Sequence, residues 1–170
     1  MAKARQKSPT TPATRALDQL GYPYTVHTFV HDPRVRNYGD EAIAALGVPA
    51  QRLFKTLIVQ VDGRQAVAIL PVPRRMQPRK VALALGAKQA ELADPVVAER
   101  RTGYVLGGMS PFGQRSKLPM VVDASVLDAE TVFVSGGRRG VDIELRSADL
   151  VSGCSAVVAA ITMGDTDDPV

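Results

Sequence analysis

The order of elements predicts an α+β fold, a mixed β-sheet with flanking helices in a single domain. Three observations carry this expectation. The chain has 170 residues, a length that suits one domain, and 45% of them are hydrophobic, enough for a sizeable core. Helical apolar spacings and short β-branched runs both occur. They are interspersed without a regular strand–helix–strand repeat, which disfavours a doubly wound parallel sheet. No Pro/Gly/Ser-rich stretch is long enough to separate two domains.

The elements follow in order. Thr11 is placed to cap a first helix, and Pro12 suits its first position. Ala13, Ala16, Leu17 and Leu20 then fall at helical spacing, and Gly21 ends the run. Tyr24 to Phe29 reads as extended. Residues 31–40, HDPRVRNYGD, read as a loop. Asp40 is placed to cap a short helix holding Ile43 and Leu46 and ending at Gly47. TLIVQV (56–61) and QAVAILPV (65–72) flank Asp62-Gly63-Arg64, a strong hairpin signal. A helix over 78–85 closes at Gly86, and Asp94-Pro95 opens another through Arg101. Strands are expected at 119–123, 131–135 and 141–146. A final helix is expected from about 148 to 161, with Leu150, Cys154, Val157, Val158 and Ile161 on one face. Gly153 inside it would cost about 1 kcal/mol relative to Ala.

Composition excludes several classes. One cysteine, Cys154, allows neither an internal disulfide nor a Cys-based zinc site. Two histidines, His27 and His31, are too few for a His-only metal site. Trp is absent and aromatics are 5%, so the core is built from Ala, Val, Leu and Ile. No window approaches the ~18 consecutive apolar residues of a membrane span. The N-terminus lacks the apolar stretch of a secretory signal, so a cytosolic protein is expected. Residues 1–9 read as a disordered basic arm and 164–170 as a disordered acidic tail. The net charge of +4 permits nucleic-acid contact without requiring it.

Four segments are too rich in glycine and polar residues to be explained by packing: 27–40, 54–57, 106–114 and 135–142. Lys55 stands at the mouth of an apolar strand, where it either snorkels to solvent or enters a pocket. Gly107-Gly108 and Gly136-Gly137 either make tight turns or let backbone N–H groups approach a ligand. Arg138-Arg139 can meet phosphates or be a solvated turn. No GxxxxGK[ST] and no helix-opening GxGxxG is present. Cys154 lies on an apolar face and reads as core. Ser110 and Ser135 lie in Gly-rich loops without a GxSxG elbow. His27 is a base or an ordinary strand side chain, and Asp142 and Glu144 share one strand face and read most simply as charges on a solvated face. The residues give a pocket with Gly-rich walls, one lysine and no obvious nucleophile.

FKTLIV around Lys55, HTFVHDP at 27–33, RTGYVLGG at 101–108, GGMSPFGQ at 107–114 and VSGGRRGVDIEL at 134–145 occur together and in order. With them the chain resembles the YbaK/EbsC-type Cys-tRNA(Pro) deacylases, free-standing relatives of the editing domain of prolyl-tRNA synthetases. The resemblance spans about residues 10–161. It implies a partly barrel-like sheet and the removal of cysteine from mischarged tRNA(Pro), with Cys-tRNA(Cys) as a further substrate. In that family the substrate's own thiol is thought to attack its ester, and no cofactor or metal is implied. By the resemblance Lys55 is the essential lysine, with Thr56 beside it. Phe29, Gly107, Gly108, Met109, Ser110, Pro111, Phe112 and Gly113 would bind substrate on one side. Ser135, Gly136, Gly137 and Asp142 would bind it on the other. One departure is Phe29, where family members often carry Tyr. The implied partners are the aminoacylated 3′ end of tRNA and prolyl-tRNA synthetase, in the cytoplasm and with no membrane. A non-catalytic tRNA- or synthetase-binding module and an editor of another ester, such as Ala-tRNA(Pro), are the competing expectations.

Overall fold

Eight strands and five helices alternate irregularly along residues 8–164, the part of the chain that the computed structural model describes. The first helix, α1 (Pro12–Leu20), starts where the sequence says it should. Thr11 and Thr14 form a reciprocal capping box, and Gly21 ends the helix in the left-handed conformation. Ala13 and Leu17 are buried, whereas Leu20 is half exposed. The Thr11 hydroxyl also donates to the Gly136 carbonyl at 2.6 Å, tying α1 to a strand 125 residues away.

Strand β1 (Tyr24–Thr28) leads to α2 (Tyr38–Leu46). This helix begins earlier than expected. Its N-cap is Asn37, whose side-chain oxygen accepts from the Asp40 N–H, and Asp40 sits in the first turn. Both residues are good caps, and the helix uses the one that adds a turn. The hairpin of β2 (Phe54–Val61) and β3 (Arg64–Pro71) pairs Val61 with Arg64. Only Asp62 and Gly63 form the turn, both with positive φ, as a two-residue primed turn requires. The Asp62 carboxylate accepts the N–H groups of Lys88 and Gln89. Helix α3 (Pro78–Ala84), strand β4 (Ala90–Leu92) and helix α4 (Pro95–Thr102) follow. The three residues of β4 carry no β-branched signal and become a strand by pairing along the edge of β2.

Strands β5 (Met120–Asp123), β6 (Thr131–Arg138) and β7 (Val141–Arg146) lie where the sequence reading puts them. The long final helix does not exist. Helix α5 (Ser147–Gly153) stops at Gly153, the chain turns through Ser155 at φ 47°, and β8 (Val157–Ala159) runs parallel to β5. A Cβ at Gly153 would lie 2.8 Å from the Phe112 ring, so the glycine permits a close packing contact. The β-branched pair Val157-Val158 is then better used opposite Val121 and Val122.

The α+β expectation holds, with a mixed sheet and flanking helices. The strands form two sheets, joined by a bridge between Leu53 and Phe133 and not closed into a barrel. One is antiparallel, in the order β1-β7-β6; the other is mixed, in the order β4-β2-β3-β5-β8. Their facing sides close the main core. Phe54, Ile58, Val67, Ile69 and Val122 meet Val132, Val134, Ile143 and Leu145, with Leu17 and Leu150 at its edges. The larger sheet is buried on its other side too, where Val59, Ala68, Leu70 and Val121 pack with Val81 and Ile161. This two-sided burial explains the unbroken apolar runs of β2 and β3. A small third cluster joins α2 to Leu53 and Phe133. Of the expected arm and tail, residues 1–7 and 165–170 lie outside the described part.

Removing Thr11 tests the long-range tie. Thr11→Ala is expected to cost about 1–2 kcal/mol, the range of a lost helix cap, with Thr11→Ser retaining most of it. Urea denaturation of the three proteins checks the order.

Candidate functional site

A cavity of about 550 Å³ opens at the end of the larger sheet where β2 begins. Five segments and Phe29 enclose it. The start of β2 contributes Leu53 to Leu57, and the chain leaving β3 adds Val72 and Pro73. The loop before α2 and its first turns add Arg36 through Ala42. Gly107 and Met109 come from the Gly-rich loop, and Ser135, Arg139, Gly140 and Asp142 from β6, β7 and their turn. Phe29, just after β1, completes the wall.

Lys55 takes the second of its two expected courses and enters the cavity. Its Nζ donates to the Val72 carbonyl at 3.3 Å. Burial pulls its pKa below the ordinary lysine value, nearby Asp40 works against that, and Arg75 adds to it. Beside it the Thr56 hydroxyl is buried with no hydrogen-bond partner among the described residues. Asp142 lies across the cavity on β7, paired in register with His27 and Ser135. It is 6% exposed, and burial raises its pKa to about 7. No hydrogen bond or ion pair to its carboxyl group is made by the described residues. A charged group entering from outside would therefore find an acid without a competing partner.

The Gly-rich segments divide into wall and buttress. Gly107, at φ 80°, presses its backbone against the Tyr38 ring, and a Cβ there would lie 2.4 Å from Cγ of that ring. Gly108 does not line the cavity; it packs against the backbone at Arg138. Ser110, Pro111 and Phe112 are buried behind the wall, and the Tyr104 hydroxyl donates to the Phe112 carbonyl at 2.6 Å. Gly113 packs on the start of α1. Strand β6 is irregular between Ser135 and Arg138, so Gly136 and Gly137 turn away toward Val141, Thr11 and Tyr104. Of the residues carried over by resemblance, the cavity thus gathers Lys55, Phe29, Thr56, Gly107, Met109, Ser135 and Asp142. Gly108, Ser110, Pro111, Phe112, Gly113, Gly136 and Gly137 hold that wall in place from behind.

Other candidates lie elsewhere. His27 contacts Glu144 at 3.1 Å, and His31 contacts Glu41 at 2.6 Å; neither ring lines the cavity. Glu144 is also held by Arg52 and Thr131. Cys154 packs against the main core, and burial raises its thiol to about 12. The described residues bring together no group of three His, Cys, Asp or Glu side chains able to hold a metal ion. Sequence reasoning marked 27–40 as a chemistry-bearing segment but assigned only Phe29 from it. Arg36, Asn37, Tyr38, Gly39 and Asp40 were the missing wall, and the density of polar residues and glycine was their signal.

Residues 32–152 match the sequence profile described as the aminoacyl-tRNA editing domain. The chain belongs to that family. Every residue that lines the cavity lies within the match, apart from Phe29. This editing domain is 31% identical to a protein of Enterococcus faecalis named "Putative Cys-tRNA(Pro)/Cys-tRNA(Cys) deacylase EbsC", over 95% of this chain and 98% of that one. It is also 31% identical to a proline–tRNA ligase of Nitratidesulfovibrio vulgaris, over 83% of this chain but 22% of the ligase. A crystal structure titled as a putative trans-editing enzyme for prolyl tRNA synthetase shares the fold at a TM-score of 0.80. That pair is 23% identical over 92% of this chain and all of the other. The family expected from the ordered motifs is borne out. No helix among the described residues is long and apolar enough to cross a membrane.

Asp142 gives a stability test with a defined sign. Its folded pKa is raised, so the folded state binds the extra proton between about pH 4 and pH 7. Stability from this group is therefore present at low pH and lost as pH rises through about 7. Asp142→Asn is expected to leave stability nearly unchanged at pH 4 and to raise it at pH 8. The upper bound is about 4 kcal/mol, since each pKa unit corresponds to about 1.4 kcal/mol. Urea denaturation at the two pH values reads the difference.

Proposed function

We propose that this editing domain is an aminoacyl-tRNA deacylase that clears cysteine from Cys-tRNA(Pro), with the substrate's thiol as nucleophile. One observation carries the reading. The cavity offers a lysine and an unpaired buried acid, yet none of its hydroxyls is set against a base. Ser135 Oγ accepts from the Gly137 N–H, and the Thr56 hydroxyl has no partner. A protein nucleophile needs such a base in reach.

The substrate can supply what the wall lacks. The cysteinyl sulfur gives up its proton and attacks its own ester carbonyl, forming the C–S bond. The bond from carbonyl carbon to ribose oxygen then breaks, and that oxygen takes a proton. Cysteine leaves as a cyclic thiolactone and the tRNA leaves uncharged. The enzyme's share is placement and charge. Lys55 orients the ester and the terminal adenosine, with the Asp40 carboxylate favouring its ammonium form against burial. Asp142 accepts the α-ammonium of the aminoacyl group, which pulls its proton off and anchors the amino acid. The remaining wall residues, Phe29, Thr56, Gly107, Met109 and Ser135, fix the shape around a small side chain.

The names of the relatives support the same substrate class, because EbsC is named for Cys-tRNA(Pro) and Cys-tRNA(Cys). A size-based first site cannot reject a near-isostere of proline, so a second clearing site is needed. The presence of a similar segment inside proline–tRNA ligases supports prolyl-tRNA synthetase as a partner. In this reading residues 10–163 are the deacylase domain, the basic segment 1–9 adds tRNA affinity, and the protein works in the cytoplasm.

Release of labelled cysteine from Cys-tRNA(Pro) tests it. Wild type is expected to be active, and Lys55→Ala to lose at least a hundredfold in kcat/KM while keeping its circular dichroism. Substrate with a blocked thiol should resist. Cleavage of the blocked substrate would give the nucleophile to water. Faster turnover of Ala-tRNA(Pro) would move the protein to another ester. Tight tRNA binding without turnover of any ester would make it a binding module.

A further inference from the structure

Three segments meet around one aromatic ring at the cavity mouth. Tyr38 opens α2, Gly107 lies in the Gly-rich loop, and Arg139 lies in the β6–β7 turn. The Gly107 backbone presses on the Tyr38 ring. The Arg139 guanidinium lies 4.6 Å from the centre of that ring. Its Nε donates to the Leu106 carbonyl at 2.9 Å. The backbone beneath Arg139 is fixed as well. Phe29 N–H donates to the Gly140 carbonyl at 2.9 Å, and Gly108 packs on the Arg138 backbone.

An exposed arginine is usually free to swing, and ordering it on binding costs rotamer entropy. Here that cost is already met by the fold. The two terminal guanidinium nitrogens make no hydrogen bond among the described residues, and Arg139 is exposed and lines the cavity. The acids of the same mouth do not compete for it. Glu41 is taken by His31 and by the Asp32 N–H, and Asp40 by the Asn37 amide. A planar cation with two free donors, held at the rim of a cavity, matches a phosphate oxygen pair.

We infer that Arg139, pinned on Tyr38 and Leu106, is the phosphate contact that sets the register of the tRNA 3′ strand as its terminal nucleotide enters the cavity. The inference rests on the deacylase reading for its substrate but not for its test. The terminal adenosine goes in past the rim, and the phosphodiester that precedes it stays outside, beside Arg139. Tyr38 acts through Arg139 and Gly107 and is a positioning residue.

The experiment compares Arg139→Gln with Arg79→Gln, an equal charge loss on α3 away from the cavity. Binding of a short RNA ending in CCA-3′ is followed by fluorescence anisotropy over a salt series. Arg139→Gln is expected to weaken binding about tenfold at low salt. It should also flatten the slope of log affinity against log salt by about 0.7, the value of one contact to a single strand. Arg79→Gln should change neither. In turnover, Arg139→Gln should raise KM for Cys-tRNA(Pro) about tenfold with kcat nearly kept. Cysteinyl adenosine, which has no phosphate, should be cleaved as by wild type. Equal losses on both esters, or an unchanged salt slope, would overturn the inference and leave Arg139 a brace for Tyr38. Absence of turnover by wild type would defeat the deacylase reading, while the RNA-binding comparison would still decide for or against Arg139.

Discussion

The burial of strand β2 on both faces is the constraint on which the rest of the molecule depends. A strand packed between the main core and the second apolar layer has no room for a charge along most of its length. Ile58, Val59 and Val61 meet that demand. The one cation of the strand is therefore confined to its beginning, beside the bridge between Leu53 and Phe133. The cavity occupies that place. Lys55 is held there by the same packing that makes β2 apolar, with the Val72 carbonyl as its local anchor. Site and core are two ends of one strand rather than separate inventions.

The electrostatics of the cavity follow from the same burial. Desolvation pushes Lys55 and Asp142 in opposite directions on the pH scale, and both shifts favour the neutral side chain. Such a cavity suits a ligand that brings charges to pair with these two groups. An aminoacyl ester has an ammonium group at one end and phosphates at the other. The division of acid inside and arginine at the rim mirrors that distribution.

Much of this was legible in the sequence, for local reasons. Helix α1 announced itself by a cap, a proline and a glycine. The first hairpin announced itself by Asp62-Gly63 between apolar runs. These signals act within a few residues, where propensity and turn chemistry decide. The failures were non-local. Val157 and Val158 fit a helical face as well as a strand, and only the edge of β5 decides between them. Strand β4 exists because β2 offers it an edge. The site behaved likewise. Lys55 stands out in the sequence, whereas Asp142 reads as a solvated charge until β1 and β6 bury it, and the wall supplied by Arg36 to Asp40 depends on where α2 lands. The glycines separated the same way, since only packing tells a wall such as Gly107 from a buttress such as Gly136.

The bond from Thr11 to Gly136 has a consequence for synthesis. It joins the first helix to the sixth strand across 125 residues. The cavity wall at Ser135 and Asp142 lies beyond that point in the chain. A growing polypeptide can fold its first hairpin early, because those contacts are local. It cannot enclose the cavity until the β6–β7 segment has cleared the ribosome and the first helix has docked on it. Contacts of such separation form late and slowly. Until that docking the cavity is unformed, and Lys55 stands without the wall that faces it.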